Sequence, residues 1–182
     1  NSVMFDGSAL DYEENVAKTT EVVKMAHDYG ATAEGEVGIV PHDIGQLKQS
    51  DMTDPEKAVE FAERTGVDFL AVSLGSVHGM KTAETALDQG LLRELHHKVK
   101  VPLVLHGASG VVDEHIQSAV ANGIRKINVN TGLKVVFKEH LTARFAGNRK
   151  SDLLEDLMTG MDAVTNSIVR RMRLFGSSNK AQ

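Results

Sequence analysis

The chain has 182 residues, 20 Lys+Arg against 25 Asp+Glu for a formal net charge of -5, and no cysteine. That balance argues against nucleic acid or an anionic membrane surface as partner, and the lack of cysteine excludes disulfides, thiol nucleophiles and cysteine-based zinc sites. Aromatics are scarce, no apolar run approaches the roughly 18 residues of a membrane span, and nothing at the start reads as a signal peptide. A cytoplasmic α/β protein is expected. Because the first residue is Asn1, the chain is also expected to be the later part of a longer one.

In chain order, Val3–Asp6 reads as a strand. It is followed by an amphipathic helix over Glu13–Tyr29 that places Val16, Val23 and Ala26 near one face and stops at Gly30. Ala31–Val37 is the second strand. Thr53-Asp54-Pro55-Glu56 reads as a capping box with proline in the first turn, opening a helix that ends at Thr65-Gly66. The third strand is Phe69–Leu74 and the fourth Val101–His106. A short helix over Asp113–Asn122 then precedes a fifth strand, Lys126–Asn130. Helices from Thr131 to about Arg144 and over Leu153–Leu174 follow, and the tail from Gly176 reads as disordered. Strands spaced about 25 to 40 residues apart suit parallel βα units. Two α/β folds accommodate them: a doubly wound open sheet, or part of a (β/α)₈ barrel, which when complete takes about 250 residues.

The polar residues gather where such strands end. Asp6 closes the first, Glu34 and Glu36 lie along the second, and Ser76-Val77-His78-Gly79 follows the third. His106-Gly107-Ala108-Ser109-Gly110 follows the fourth, and Asn128, Asn130 and Thr131 close the fifth. C-terminal strand ends build the ligand site of parallel α/β folds. Two His-Gly pairs with Glu36 suit a divalent metal such as zinc. The glycine-rich turns 107–110 and 75–76, with the helix start at Asn130-Thr131, offer N–H groups to a phosphate. His27, His42, His96, His97, His115 and His140 are expected to be solvated. The Walker and Rossmann fingerprints are missing, and Ser76 and Ser109 lack a nucleophile elbow.

Read together, these motifs resemble the class II, metal-dependent fructose-bisphosphate aldolases and the related tagatose- and ketose-bisphosphate aldolases. The matching strings are Ser2-Val-Met-Phe-Asp-Gly-Ser8, Tyr12-Glu-Glu-Asn15, Glu34-Gly-Glu-Val-Gly38, Thr53-Asp-Pro55 and Thr65-Gly-Val-Asp68. They continue with Gly75-Ser-Val-His-Gly79, Pro102-Leu-Val-Leu-His-Gly-Ala-Ser-Gly110, Lys126-Ile-Asn-Val-Asn-Thr131 and Leu174-Phe-Gly-Ser-Ser178.

The resemblance implies a TIM (β/α)₈ barrel, of which this chain supplies about strands four to eight as a single catalytic domain. It implies that His78 and His106 bind Zn²⁺, with Glu36 and Asp6 beside the metal. Gly79, Gly107 and Ser109 would hold the substrate phosphate, partly through a monovalent cation such as Na⁺ or K⁺. Asn128 would touch the dihydroxyacetone portion, and Asn130 and Thr131 would complete the phosphate turn. Asn128 and Glu36 are the catalytic candidates on this chain. The third zinc histidine and the main catalytic Asp are expected upstream of Asn1.

The segment Ile39-Val-Pro-His-Asp-Ile-Gly45 departs from the family's Gly-Gly-x-Glu-Asp lid. We expect part of that lid to be omitted near positions 41 to 47; if the loop is continuous, Asp43 is its carboxylate. Gly132 stands where an acidic residue is common, and Lys81 comes one position early. Lys126 is expected at the surface, far from the C-terminal rim. Arg170, Arg171 and Arg173 resemble a segment that offers an arginine to a neighbouring subunit's second phosphate, in a homodimer or homotetramer. The activity implied is reversible cleavage of fructose 1,6-bisphosphate. A tagatose or other phosphorylated-ketose aldolase, and a non-catalytic aldolase-like subunit, are the alternatives.

Overall fold

Five short strands lie side by side, all parallel and in chain order: β1 (Ser2–Phe5), β2 (Thr32–Val37), β3 (Phe69–Val72), β4 (Leu103–Leu105) and β5 (Ile124–Ile127). The computed structural model describes residues 1–80, 85–147 and 152–180. A doubly wound sheet reverses its strand order at a switch point. This sheet never reverses, so the chain follows the barrel alternative, with five strands of a (β/α)₈ arrangement.

The connections are α1 (Tyr12–Asp28), α2 (Pro55–Thr65), α3 (Gln89–Lys98) and α4 (Asp113–Ala121). After β5 come α5 (Thr131–Gly147) and α6 (Leu153–Leu174), packed on each other and joined by Arg144 Nε donating to Asp156 Oδ1 at 2.8 Å. Helix α3, for which the sequence pattern set no bounds, starts where Asp88 Oδ1 accepts from Leu91 N.

Three local expectations are corrected, the cap of α2 and both ends of β5. The expected box at Thr53 is not the helix cap: Asp54 accepts from Lys57 N, with Pro55 in the first turn. The Thr53 hydroxyl instead donates to Val37 O at 2.7 Å and accepts from Ser73 N at 2.8 Å, stitching the ends of β2 and β3. Strand β5 begins at Ile124, directly out of the turn at Gly123, rather than at Lys126, and ends at Ile127. The tail from Gly176 opens with a Schellman ending, in which Gly176 N donates to Arg173 O and Ser177 N to Met172 O and so satisfies the last carbonyls of α6.

The two faces of the sheet have different chemistry. Paired residues in a parallel ladder share a face, and the register sets Glu36 beside Ala71, Ala71 beside Val104 and Val104 beside Lys126. The opposite face carries Ala33, Val37, Leu70, Val72, Leu103 and Leu105. These merge with Phe61, Leu92, Leu95 and Ile116 from the helices into one buried core. Thus β2 buries apolar residues outward and presents Glu34 and Glu36 inward.

Candidate active site

Beyond the strand ends, a cavity of about 340 Å³ is lined by His42, His78, Gly79, His106 to Ser109 and Asn128 to Thr131. Gly107 sets its floor. Its φ is +68°, and a Cβ there would stand 2.9 Å from Val77 O, so only glycine lets the turn after β4 lie against the turn after β3. That contact brings the two His-Gly pairs together: the His78 and His106 rings are 5.9 Å apart, edge to face.

Glu34 and Glu36 are both 2% exposed, yet their environments pull them apart. Glu34 accepts from Lys126 Nζ at 2.6 Å through Oε2, and its Oε1 lies 2.8 Å from His106 Nε2. Burial, the largest influence on Glu34, pushes its pKa up. The hydrogen bonds from His106 and Lys126 outweigh it and leave the group below its ordinary value. An ionised carboxylate only accepts, so the His106 proton belongs on Nε2. Nδ1 then keeps the lone pair, on the side of Glu36, with Oε2 at 3.8 Å.

Glu36 Oε2 is buried without a hydrogen-bond partner among the described residues. Burial first, then the charge of Asp6, push Glu36 up to about 7, against the pull of His106. For His78, burial, then the neighbouring His106 and His42, lower the imidazole pKa, with Asp6 opposing. An orphaned carboxylate oxygen facing an imidazole lone pair, with a second imidazole nearby, is a donor set that fits a divalent cation in kind. The donors are not assembled: among the described residues, no three His, Asp or Glu side chains converge closely enough to hold a metal ion.

The remaining candidates divide. Asp6, exposed at the end of β1, accepts from both the backbone N and the hydroxyl of Ser8. Ser109, Asn130, Thr131, Gly79 and Gly107 line the cavity, and Ser109 Oγ accepts from Gly132 N at 3.1 Å. Asn128 also lines it, its Oδ1 held by Lys126 Nζ at 2.8 Å and its Nδ2 turned toward His106. Asp43 is exposed, spends Oδ1 on Gly45 N, and is not among the lining residues. Lys81 lies outside the described residues.

Two participants were not foreseen, and a third, Glu34, was placed on its strand without a role. Lys126 is not at the remote surface expected of it: the earlier start of β5 puts it at the third strand position, and its long stem reaches Glu34 and Asn128. Its period-two spacing from Asn128 was the available signal. Glu34, two residues before Glu36, is the same-face partner that the alternation of a strand requires. His42 is an exposed loop residue, as expected, but it also lines the cavity, with its ring 5.2 Å from that of His78. Other histidines expected to be solvated also make contacts, although His27 stays exposed on its helix face. His27 pairs with Asp68 at 2.9 Å and His115 Nδ1 accepts from Leu87 N, while His140 Nε2 is buried.

Residues 1–180 match the family described as fructose-bisphosphate aldolase class-II. The chain belongs to that family. Members of this family are generally metal-dependent, in keeping with the donor chemistry above. The chain is 38% identical to a sulfofructosephosphate aldolase from Alkalicoccus urumqiensis, over 100% of this chain and 65% of that protein. It is 40% identical to the D-tagatose-1,6-bisphosphate aldolase subunit GatY of Klebsiella oxytoca, over 94% of this chain and 62% of that one. The crystal structure of the YdjI aldolase from Escherichia coli K12 superposes with a TM-score of 0.82 at 36% identity, covering 100% of this chain and 62% of that chain. The chain therefore spans a little under two thirds of the length of these aldolases. No helix among the described residues is long and apolar enough to cross a membrane.

Proposed function

We propose that this chain carries the metal- and phosphate-binding rim of an aldolase that reversibly cleaves a phosphorylated ketose, with fructose 1,6-bisphosphate as the leading substrate. The observation that carries the reading is the convergence, around one cavity, of His78 and His106 with the Ser109–Gly132–Thr131 turn. His78, His106 and Glu36 would hold the metal, with Asp6 nearby, and Zn²⁺ is the ion their nitrogen and oxygen donors suit. When bound, such an ion polarises the ketone and offsets the negative charge left after carbon–carbon cleavage.

The protein groups prepare that chemistry. Glu34 fixes the His106 tautomer so that Nδ1 is the free donor. Glu36 holds a proton up to about pH 7 in the metal-free protein and must release it before Oε2 can act as a ligand. Lys126 occupies the Asn128 carbonyl, which leaves the amide Nδ2 to donate toward the substrate's hydroxyl-bearing end. Ser109, Asn130 and Thr131, with the glycines at 79 and 107, would hold the phosphate and so fix the position of the carbonyl. A monovalent cation on nearby backbone oxygens would add to that hold.

Relatives at similar identity carry tagatose-bisphosphate and sulfofructose-phosphate names, so all three sugars belong in the assay. Treatment of the full-length protein with a strong chelator should abolish cleavage, and zinc or cobalt should restore it. His106→Ala should lose both metal content and activity. Full activity in the metal-free protein, or borohydride trapping of a lysine adduct, would overturn the reading. A folded full-length protein that binds zinc but cleaves none of the three sugars would favour the non-catalytic subunit.

A further inference from the structure

Helix α6 ends with three arginines that meet different surroundings. Arg170 is tied through Nη2 to the Asp113 carboxylate. Arg173, in the last turn, is exposed. Arg171 is half-buried, and its Nη1 is fully buried with no hydrogen-bond partner among the described residues. Burial, then the adjacent Arg170 charge, lower its proton affinity, and Asp113 offsets only part of this. A guanidinium nevertheless stays charged in a protein. A partly buried positive charge that a neighbouring carboxylate offsets only in part is stabilised when an anion arrives.

The direction it faces identifies the anion's seat. Arg171 Nη2 lies 3.6 Å from the point where a Cβ on Gly132 would stand, and Ser109 Oγ lies 3.3 Å from that same point. Gly132 is the second residue of α5, a helix of 17 residues, and its N–H already leans on Ser109 Oγ. The start of a helix carries partial positive charge; here Leu133 N and Lys134 N donate to Asn130 O, so α5 contributes its dipole to the seat rather than a set of free N–H groups. A hydroxyl, a helix start and an unpartnered guanidinium thus surround a space that exists because residue 132 has no side chain.

We propose that Arg171 is an anion-binding residue of this chain's own phosphate turn, closing with Ser109 and the start of α5 on a phosphate monoester. The inference deepens the aldolase reading and rests on it only for naming the monoester as the substrate's. It makes Gly132 part of the same device: a carboxylate at that position would stand in the seat and neutralise the arginine itself.

The test is a calorimetric titration of the folded protein with inorganic phosphate, repeated with dihydroxyacetone phosphate. Arg171→Gln should weaken both ligands by about 10- to 100-fold, the range expected for losing a charged hydrogen-bonding group. Arg171→Lys, which keeps the charge without the planar fork, should fall between. Gly132→Glu should weaken phosphate as Arg171→Gln does, whereas Gly132→Gln should cost less. If Arg171→Gln does not fold, Arg171→Lys and Gly132→Glu carry the test. Unchanged affinity for both ligands in the folded Arg171 and Gly132 variants overturns the proposal, as does a wild-type protein that binds neither ligand. Weakening of dihydroxyacetone phosphate alone would place the seat on the ester and not on free phosphate. Because binding is read without turnover, loss of the proposal and loss of the aldolase reading are separate results: an active aldolase whose Arg171→Gln variant keeps its phosphate affinity refutes only this step.

Discussion

Glu34 is buried and ionised because two neighbours keep it so: Lys126 supplies charge and His106 supplies a proton. Removing either support acts on the other. Partners that orient a metal ligand typically affect metal affinity or activity by about 10- to 100-fold. Glu34→Gln and Lys126→Met should each weaken zinc by that range in a chelator competition, and Lys126→Arg should recover part of the loss. Zinc affinity unchanged in both variants would mean that the network is only structural. This network was half legible in the sequence. The Glu34/Glu36 alternation is a strand signature, but the assumption that β5 starts at Lys126 put that lysine at the wrong end of its strand. Similarly, nothing in the string around His42 says that its loop folds toward His78, since that approach depends on Pro41 O accepting from His78 N.

Away from the site, Asp68 accepts from Ala33 N and pairs with His27. Burial pushes its pKa up, but the His27 and backbone hydrogen bonds prevail and lower it. The folded state therefore binds this proton less readily than the unfolded chain. Its stabilising contribution is present above the unfolded pKa of about 3.8 and is lost as pH falls through the lower folded value. Asp68→Asn should remove that acid-side loss, so that the wild-type and variant melting temperatures, well separated at pH 7, converge below about pH 3. A separation that persists in acid would contradict the assignment.

At the scale of elements, helix ends and turns decide what a pattern alone cannot. The run Thr53-Asp54-Pro55-Glu56 offers two acceptable caps, and the choice follows from tertiary structure, because Thr53 is claimed by the ends of β2 and β3. Asp54→Ala should cost about 1 kcal/mol in denaturant unfolding. Glu56→Ala, which loses only an exposed contact with Lys98, should cost a few tenths. Equal costs would restore the capping box. Gly107→Ala should be worse than either, since it combines a left-handed backbone, worth roughly 1–2 kcal/mol, with a Cβ pressed on Val77 O. The order of the βα units was legible because each strand is an apolar run closed by polar groups. The short helix α3 was less so: its cap at Asp88 and its ten residues give little periodicity to read.

For the whole molecule, the uncovered surface is as informative as the core. On α6, Leu154, Met158, Met161, Ile168 and Met172 are all exposed. Their spacing of four, three, seven and four residues keeps them on one stripe, while Asp156 and Gly160 are buried against α5. Apolar stripes at this spacing are the seams along which helices pair, and contiguous exposed apolar area marks association sites. Together with the family resemblance, this leads us to expect a homo-oligomer in which α6 meets a second copy of the chain. Met158 and Met161 are already more than half exposed in the single chain, so a Met158→Glu, Met161→Glu double variant should fold normally. Burying a methionine is worth about 1.5–3 kcal/mol, and losing two should raise the dissociation constant at least about 100-fold. Sedimentation equilibrium with denaturation controls would detect that shift. A wild-type monomer, or an oligomer indifferent to both glutamates, would leave the stripe without this role.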